Sequence, residues 1–444
     1  MKLTIHRGSK QIGGSCVEVS TASTRVILDV GLPLDDLMAD RSKGKRNQPD
    51  DRETLLRQGV IPNVKGVFGD QPAVNAILLS HAHADHSGLL VHADPSIPIY
   101  LSKGTSKMLM AGSVFAGQPR LEKERGKEIK PGQPREIGDM RVTAYSVDHS
   151  AFDSLAFLIE ADGKRLLYSG DLRLHGRKPG MAQHLIQAVS HAPVDILLME
   201  GTHFAPDRKP GLTEVELEHE IAKQIADARG LVLAIFSPQH VDRLVTFYKA
   251  IKRNSRQFVI DPYTAFVMHL IAGRQCKIPN PFAASDIAVC FSERFLKSRQ
   301  WRQIHSIHAG LIARRSPLET VLAAPGKYAM LFRPSMVDLL FNGELPRNAR
   351  CIYSYWHGYL KNPEWIDLKS KLAKAGGDFD ECHTSGHIFA DDIVKFVQAV
   401  NPTWVTPIHT ANPGHFHSRF GNVLALEDGQ AHDLSVQSES PFQQ

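Results

Sequence analysis

Residues 78–88 read LLSHAHADHSG and place His81, His83, Asp85 and His86 within six residues. The run follows an apolar, strand-like stretch, Ala76 to Leu79, and passes into Ser87-Gly88, a turn signal. Imidazole and carboxylate are the ligands that borderline metals such as zinc prefer. Alternation along an extended segment puts His81 and His83 on one side. A turn at Asp85 and His86 then aims a second pair elsewhere, which suits two metals rather than one. The competing account is a polar loop rich in histidine by chance. Four ligand-type residues packed at a strand end disfavour it.

Length and composition set looser bounds. A chain of 444 residues is long enough for two domains, each with its own core. Apolar and charged fractions of 42% and 22% are those of an ordinary globular protein. The net charge of +5 is compatible with an anionic substrate but too small to argue for one. The five cysteines, Cys16, Cys276, Cys290, Cys351 and Cys382, are widely spaced with no CxxC. They read as reduced, buried thiols of a cytoplasmic protein. The opening MKLTIHRGSK lacks the apolar run of a signal peptide, and no stretch of about 18 apolar residues offers a membrane span. Nothing in the sequence fixes an oligomeric state.

The first 200 or so residues read as short strands with intervening helices, an α/β layered domain. The strands include LTIHRG, SCVEVST, RVILDVG, MRVTAYSVDHS, SLAFLIEA and VDILLMEG. Residues 34–71 form a long excursion rich in Pro, Gly and charge, which reads as a solvated loop. Its basic cluster, Arg41 to Arg46, could alternatively touch nucleic acid. From Pro206 the texture changes. Thr213 and Glu216 make a capping box before a long helix. LVLAIFS then reads as a buried strand and VDRLVTFYKAIKRN as an amphipathic helix, the rhythm of a parallel β-α-β unit. After Gly376-Gly377 comes a second histidine cluster, ECHTSGHIFADD, then a helix from Asp391 to Ala399 and VTPIHT.

Two more segments look like ligand loops. VDHSAFDS places His149 just after a strand, and YSGDLR does the same for Asp171. Strand ends are where open α/β sheets collect their sites. Alone, Asp171 would read as a turn aspartate; beside the first cluster it reads as a ligand.

HAHADH, the histidine of VDHS and the aspartate of YSGD, in that order, resemble the motifs of the metallo-β-lactamase superfamily. IGGSCVEV and VILDVG resemble its opening strands. Further on, LLMEGTH, an α/β insert, HTSGH and PIHT resemble the β-CASP nucleases, with the ribonuclease J family nearest in texture. The resemblance implies a metallo-β-lactamase αββα sandwich, residues 1–205 and 376–444, interrupted by a β-CASP domain at 206–375. It matches the family's added acidic motif to Glu200, its histidine to His387 and its last motif to His409. RNA-cleaving members resemble this chain in having histidine at that last position; Artemis-like DNA nucleases usually have an apolar residue there.

On this reading His81, His83 and His149 hold one zinc ion. Asp85, His86 and His409 hold a second, and Asp171 bridges them. Two such ions can activate a water and clamp a phosphoryl group, which is what phosphodiester hydrolysis needs. His387 is then the candidate general acid, oriented by Glu200, whose carboxylate favours the charged imidazole. Ser237, at a strand-to-helix junction, Ser385 and Arg243 are candidate contacts for a substrate phosphate. Each has a plain alternative: Ser237 an N-cap, Arg243 a solvated helix residue. His383 is a candidate second-sphere residue, whereas His415 and His417 read as surface histidines.

The expected function is a zinc-dependent ribonuclease acting on single-stranded RNA as exonuclease, endonuclease or both. The rivals are a DNA nuclease on the same scaffold, a small-ester or thioester hydrolase, and a non-catalytic RNA-binding subunit. The long insert disfavours the second, and the full ligand set disfavours the third. One departure stands out. Ribonuclease J proteins usually carry a further C-terminal domain, and about 35 residues follow His409 here.

Overall fold

The computed structural model describes residues 1–34, 51–69, 71–118, 120–205, 209–273 and 278–434. The basic cluster at Arg41 to Arg46 and Cys276 lie outside the described residues. The chain divides into two units, residues 1–110, 118–210 and 386–444 in the first, and 111–117 and 211–385 in the second.

The first unit is a sandwich of two sheets. Its opening strands are β1 (Lys2–Arg7), β2 (Cys16–Ser20), β3 (Arg25–Leu28), β4 (Ala76–Leu78), β5 (Ile99–Leu101) and β6 (Gly126–Glu128). They are followed by β7 (Arg135–Ile137), β8 (Met140–Val147), β9 (Ser154–Ala161), β10 (Lys164–Tyr168) and β11 (Ile196–Glu200). The second unit contributes β12 (Val232–Ile235), β13 (Gln257–Ile260), β14 (Ile287–Val289), β15 (Tyr328–Leu331), β16 (Arg350–Tyr353) and β17 (Asp378–Glu381). β18 (Trp404–Ile408) and β19 (Ala431–Asp433) return to the first unit.

One sheet has the order β19-β1-β2-β3-β4-β5-β6 and the other β18-β11-β10-β9-β8-β7. Period-two alternation decides what each face meets. Leu3, Ile5, Val17, Val26 and Leu28 of the first sheet share a core with Val142, Phe157, Ile159, Ile196 and Leu198 of the second. The alternate residues Leu167, Leu197, Met199 and Val405 face the other way. They pack on Leu185 and Val189 of the helix Gly180–Val189 and on Ile393, Phe396 and Val397 of the helix Ala390–Val400. Burial on both faces explains why VDILLMEG reads as an unbroken apolar run.

Within the 34–71 excursion, which reads as loop, the structure forms a short helix, Arg52–Arg57. Asp51 caps it by accepting from Thr54 N at 2.9 Å, a local signal in which a carboxylate satisfies an orphan amide.

The second unit has one six-stranded sheet, order β14-β13-β15-β12-β16-β17, with every pair parallel. The Thr213–Glu216 capping box forms as expected at the head of the helix Glu214–Asp227. β17 sets the boundary. It pairs with β16 from Asp378 to Glu381, so the unit runs to Ser385 and the first unit resumes at Gly386. The expected resumption at Gly376 is corrected by that pairing, which a four-residue acidic strand, DFDE, does not advertise.

Arg243 lies in the helix Val241–Arg253 with a fully buried side chain. Its Nη2 donates to Glu214 Oε1 and to Thr384 O, both at 3.0 Å, and its Nη1 donates to Ser354 O at 3.1 Å. Removing one partner of a buried ion pair strands the other charge in a low dielectric. Arg243→Met should therefore destabilise the protein by about 3–5 kcal/mol. Chemical denaturation checks this; a loss near zero would return Arg243 to the surface role that the sequence allowed.

Candidate metal centre

The candidate ligands sit at or just beyond the carboxyl end of a strand or at the head of a helix. His81 and His83 follow β4, His149 follows β8, Asp171 follows β10, Glu200 ends β11 and His409 follows β18. His83 is the N-cap of a single helical turn, Ala84–Ser87, which carries Asp85 and His86. His387 lies just ahead of the helix Ala390–Val400.

These loops converge. The ligand atoms of His81, His83 and His149 lie within 4.8 Å of one another, as do those of Asp85, His86 and His409. Asp171 Oδ2 stands among both groups. It is 3.1 Å from His86 Nε2, 3.8 Å from both His81 Nε2 and His149 Nε2, and 3.9 Å from His409 Nε2. His387 Nδ1 is 3.6 Å from the same oxygen. All the sequence-predicted metal ligands, with Glu200 and His387, are thus brought together in one unit. Ser237, Ser385 and Arg243 belong to the other unit.

The hydrogen bonds fix which ring nitrogens point inward. Asp29, at the end of β3, accepts from Ser80 N and Ser80 Oγ, each at 2.7 Å, from Tyr168 OH at 2.7 Å and from His86 Nδ1 at 2.8 Å. With the Ser80 proton committed to Asp29, His81 Nδ1 is left to donate to Ser80 Oγ at 3.0 Å, which leaves Nε2 as a lone pair. His149 Nδ1 donates to the Gly386 carbonyl at 2.6 Å, so its Nε2 is likewise bare. Metal-ligating histidines typically hand their other N–H to such a partner. Thr202 Oγ1 holds His409 Nδ1 at 2.8 Å and His387 Nδ1 at 3.1 Å.

The electrostatics divide the cluster in two. Burial pushes His81 and His149 well below the usual imidazole range, and His83 down to about 4. Neutral imidazole is the metal-binding form. For His86 burial acts in the same direction, but Asp171 and Asp29 outweigh it and hold the ring well above its usual value. Burial would raise Asp171, yet His409, His86 and His387 hold it well below the carboxylate range. His387 is raised to about 9, because Glu200 and then Asp171 overcome the opposing effect of burial. Glu200 lies 3.2 Å from His387 Nδ1 through both oxygens and is anchored by Leu172 N at 3.2 Å and Thr202 N at 3.3 Å.

The donor set fits a divalent metal. His81 Nε2 and Asp171 Oδ1 are buried with no hydrogen-bond partner among the described residues, and unsatisfied buried polar atoms are rare unless something else meets them. His149 Nε2 and His83 Nδ1 lie 3.2 Å apart, close to the ~3.3 Å edge of a tetrahedron with zinc–nitrogen bonds of about 2.0–2.1 Å.

Asp29, Ser80, Thr202 and the Gly386 carbonyl escaped the sequence reading. Asp29 had a signal, a lone carboxylate closing the buried run VILDVG; the carbonyl had none. Arg243 is corrected: its guanidinium is sealed against Glu214, Ser354 and Thr384 and has no face for a phosphate. His383 Nδ1 meets Ser354 O at 3.1 Å in the second unit. His415 is half-buried on Phe204 O at 2.9 Å, and His417 is exposed.

The profile of a beta-lactamase superfamily domain matches residues 50–235. An RNase J-like protein of Methanocaldococcus jannaschii is 27% identical over 53% of this chain and 51% of its own length. Ribonuclease J of Sinorhizobium meliloti is 25% identical over 79% of this chain and 60% of its own length. Ribonuclease J of Pyrococcus abyssi is 23% identical over 90% and 88%. The chain thus spans only about half to three-fifths of the first two of these relatives. A crystal structure of a protein of unknown function from Enterococcus faecalis V583 shares the fold, with TM-score 0.77 and 22% identity over 97% of this chain and 99% of that one.

The profile match and these relatives make the chain similar to the metallo-β-lactamase superfamily, and its sandwich and ligand cluster agree with that likeness. The curated relatives it resembles are ribonuclease J-like proteins, and the parallel α/β unit stands where the sequence reading expects a β-CASP insert.

Two substitutions test the construction of the centre. Asp29→Asn keeps the shape but weakens the support of His86 and Ser80, and should lower metal affinity about 10–100-fold. A competition titration with a chromophoric chelator reads this, and unchanged affinity would mean that Asp29 serves the fold alone. A Cβ at Gly31 would lie 1.7 Å from the Asp85 carbonyl oxygen. Gly31→Ala should therefore shift the Ala84–Ser87 turn and cut the bound metal measured by mass spectrometry, with the parallel sheet of the second unit untouched.

Proposed function

We propose that this chain is a metal-dependent hydrolase, a ribonuclease that cleaves phosphodiester bonds of single-stranded RNA with two zinc ions. The observation that carries the reading is Asp171 Oδ2, which has five histidine nitrogens within 4 Å. The names of the relatives, RNase J-like protein and Ribonuclease J, support RNA as the substrate. His81, His83 and His149 would hold one ion, Asp85, His86 and His409 the other, and Asp171 would serve both.

Bound there, the two ions would supply a water of lowered pKa and neutralise charge on the phosphoryl oxygens. The chain's own residues do the rest. Asp29, Ser80, Thr202 and the Gly386 carbonyl fix ring orientation, so that no reorganisation is needed when substrate arrives. His387 is 21% exposed at its side chain while its neighbours Asp171 and Glu200 are buried, so it is the group that can meet a substrate. Held charged by Glu200, it donates a proton to the departing oxygen. Glu200, pinned by two backbone amides, keeps that ring in place. Ser237 Oγ accepts from Gln239 N at 3.3 Å, which leaves its proton to donate to a phosphate, and Ser385 is kept as a second such contact.

The four cysteines among the described residues, Cys16, Cys290, Cys351 and Cys382, are free and buried, which suits a reducing compartment such as the cytoplasm. Among the described residues no helix is long and apolar enough to cross a membrane.

The test is a time course on 5′-monophosphorylated RNA and matched single-stranded DNA, with wild type beside Asp85→Ala and His387→Ala. Wild type should degrade RNA and spare DNA, and a chelator should stop it until zinc is restored. Asp85→Ala should lose activity together with metal. His387→Ala should keep its metal and lose about 10²–10⁴-fold in turnover. Cutting of DNA in preference to RNA would establish the DNA nuclease instead, and undiminished turnover in His387→Ala would remove the acid role.

A further inference from the structure

The chain's positive charge is not spread evenly. Residues 294–315 read RFLKSRQWRQIHSIHAGLIARR, with Arg294, Lys297, Arg299, Arg302, Arg314 and Arg315 and no acidic residue. Six of the 52 Lys and Arg residues therefore lie there and none of the 47 acids; the rest of the chain holds 46 cations against 47 acids. The formal excess of +5 is accounted for by this one stretch of the second unit.

Its local structure separates an apolar side from a charged one. Two short helices, Glu293–Leu296 and Arg299–Gln303, are joined through Ser298, which caps the second by accepting from Trp301 N at 3.1 Å. Trp301 stacks on His308 at 3.6 Å and 5°, and packs edge-on to Phe295 at 5.9 Å. The His308 ring is also tied by Nε2 to Trp301 O at 2.8 Å. These ring contacts fix the two turns.

Two of the six cations are committed elsewhere. Arg314 Nε donates to Phe282 O at 3.0 Å, and Arg315 pairs with Glu293 at 2.5 Å and lies over the Phe291 ring. The other four, Arg294, Lys297, Arg299 and Arg302, are exposed and form no ion pair among the described residues. Ordinary protein surfaces intersperse charges of both signs. Four exposed cations within nine residues, the neighbouring Glu293 being already paired with Arg315, repel one another unless a polyanion or salt neutralises them.

We infer that Arg294, Lys297, Arg299 and Arg302 form a binding surface for the phosphate backbone of single-stranded RNA. The inference rests on the ribonuclease reading for its choice of polyanion. Arginine and lysine side chains on such a surface recognise phosphate and not base sequence. Trp301 turns one face to His308, and the four cations of this stretch are exposed, so the surface grips backbone. Its contribution is electrostatic and grows at low salt.

The experiment measures binding of a labelled homopolymeric single-stranded RNA across a salt series. It uses the full-length metal-loaded His387→Ala protein, so that the strand is not consumed. Joint replacement of Arg294, Lys297, Arg299 and Arg302 by Gln should weaken binding on the order of 10²-fold at low salt. It should also flatten the plot of log affinity against log salt by about 3, since each single-strand phosphate contact contributes about 0.7. Replacing the three arginines by Lys should preserve most of both. An unchanged slope in the Gln variant, with RNA still bound, would overturn this surface and leave the ribonuclease reading standing. Failure of the parent protein to bind RNA at any salt would sink both. Parallel titration of phosphatidylserine vesicles separates the other polyanionic partner. Vesicle binding that the Gln variant loses, beside RNA binding that it keeps, would reassign the surface to a membrane.

Discussion

Asp171 is a carboxylate that is 2% exposed and still held ionised. Taking such a group out of water costs several kcal/mol, even after relaxation, unless opposite charge and hydrogen bonds meet it (on the order of 20 kcal/mol in the idealised limit). Five imidazoles ring its Oδ2, but they cannot all carry a proton. Burial and neighbouring imidazoles push His81 and His149 well below the usual range, whereas Asp171, Asp29 and Glu200 raise His86 and His387 against burial. A divalent cation would meet the Asp171 carboxylate and the lone pairs of His81 and His149 together. The strand ends converge to build that concentration of donors. The sandwich core, with Leu28 and Leu78 of one sheet against Tyr168 and Leu198 of the other, fixes the strands that lead into these loops.

The price of this convergence appears in the backbone. Asp29 and His409 have φ values of 58° and 53°, in the left-handed region that costs a residue with a Cβ about 1–3 kcal/mol. Both stand immediately after a strand, where the chain must turn sharply to send a side chain back across the sheet end. Asp29 recovers the cost through four hydrogen bonds to Ser80, Tyr168 and His86. His409 is held through its amide to the Gly8 carbonyl at 2.7 Å and through its ring to Thr202. In YSGD the same need falls on a residue suited to it. Gly170 has φ of 55°, and a Cβ there would meet the Leu155 carbonyl at 2.6 Å.

The legible part of the sequence was the part in which spacing and chemistry coincide. HAHADH, VDHS and YSGD each put a ligand-type residue directly after an apolar run, and strand-then-ligand is a pattern in the chain itself. The parallel unit announced itself through LVLAIFS and its amphipathic helix for the same reason. What was not legible depended on partners distant in sequence. Thr202 reads as an ordinary threonine until His387 and His409 arrive beside it, 185 and 207 residues away along the chain. The Gly386 carbonyl carries no identity at all. β17 has neither apolar alternation nor β-branched residues, and it becomes a strand only because β16 offers an edge. The +5 net charge concealed its own location, since a total says nothing about distribution.

Arg243 and Asp171 show why burial alone does not separate structure from function. Both are charged residues sealed from water, and both come from segments that looked suited to a phosphate site. The difference is in how completely their polar atoms are met. Arg243 donates to Glu214, Ser354 and Thr384, and Glu214 in turn accepts from Thr246 at 2.8 Å. That network is closed, and a closed buried network rigidifies what surrounds it. Asp171 Oδ1 and His81 Nε2 have no hydrogen-bond partner among the described residues, and both face the same cluster of ligand atoms. A folded chain tolerates such open valences where a ligand completes them. Arg243 and Asp171 are thus told apart by whether their polar atoms are met and by what surrounds them, although the sequence presents them as the same kind of residue in the same kind of place.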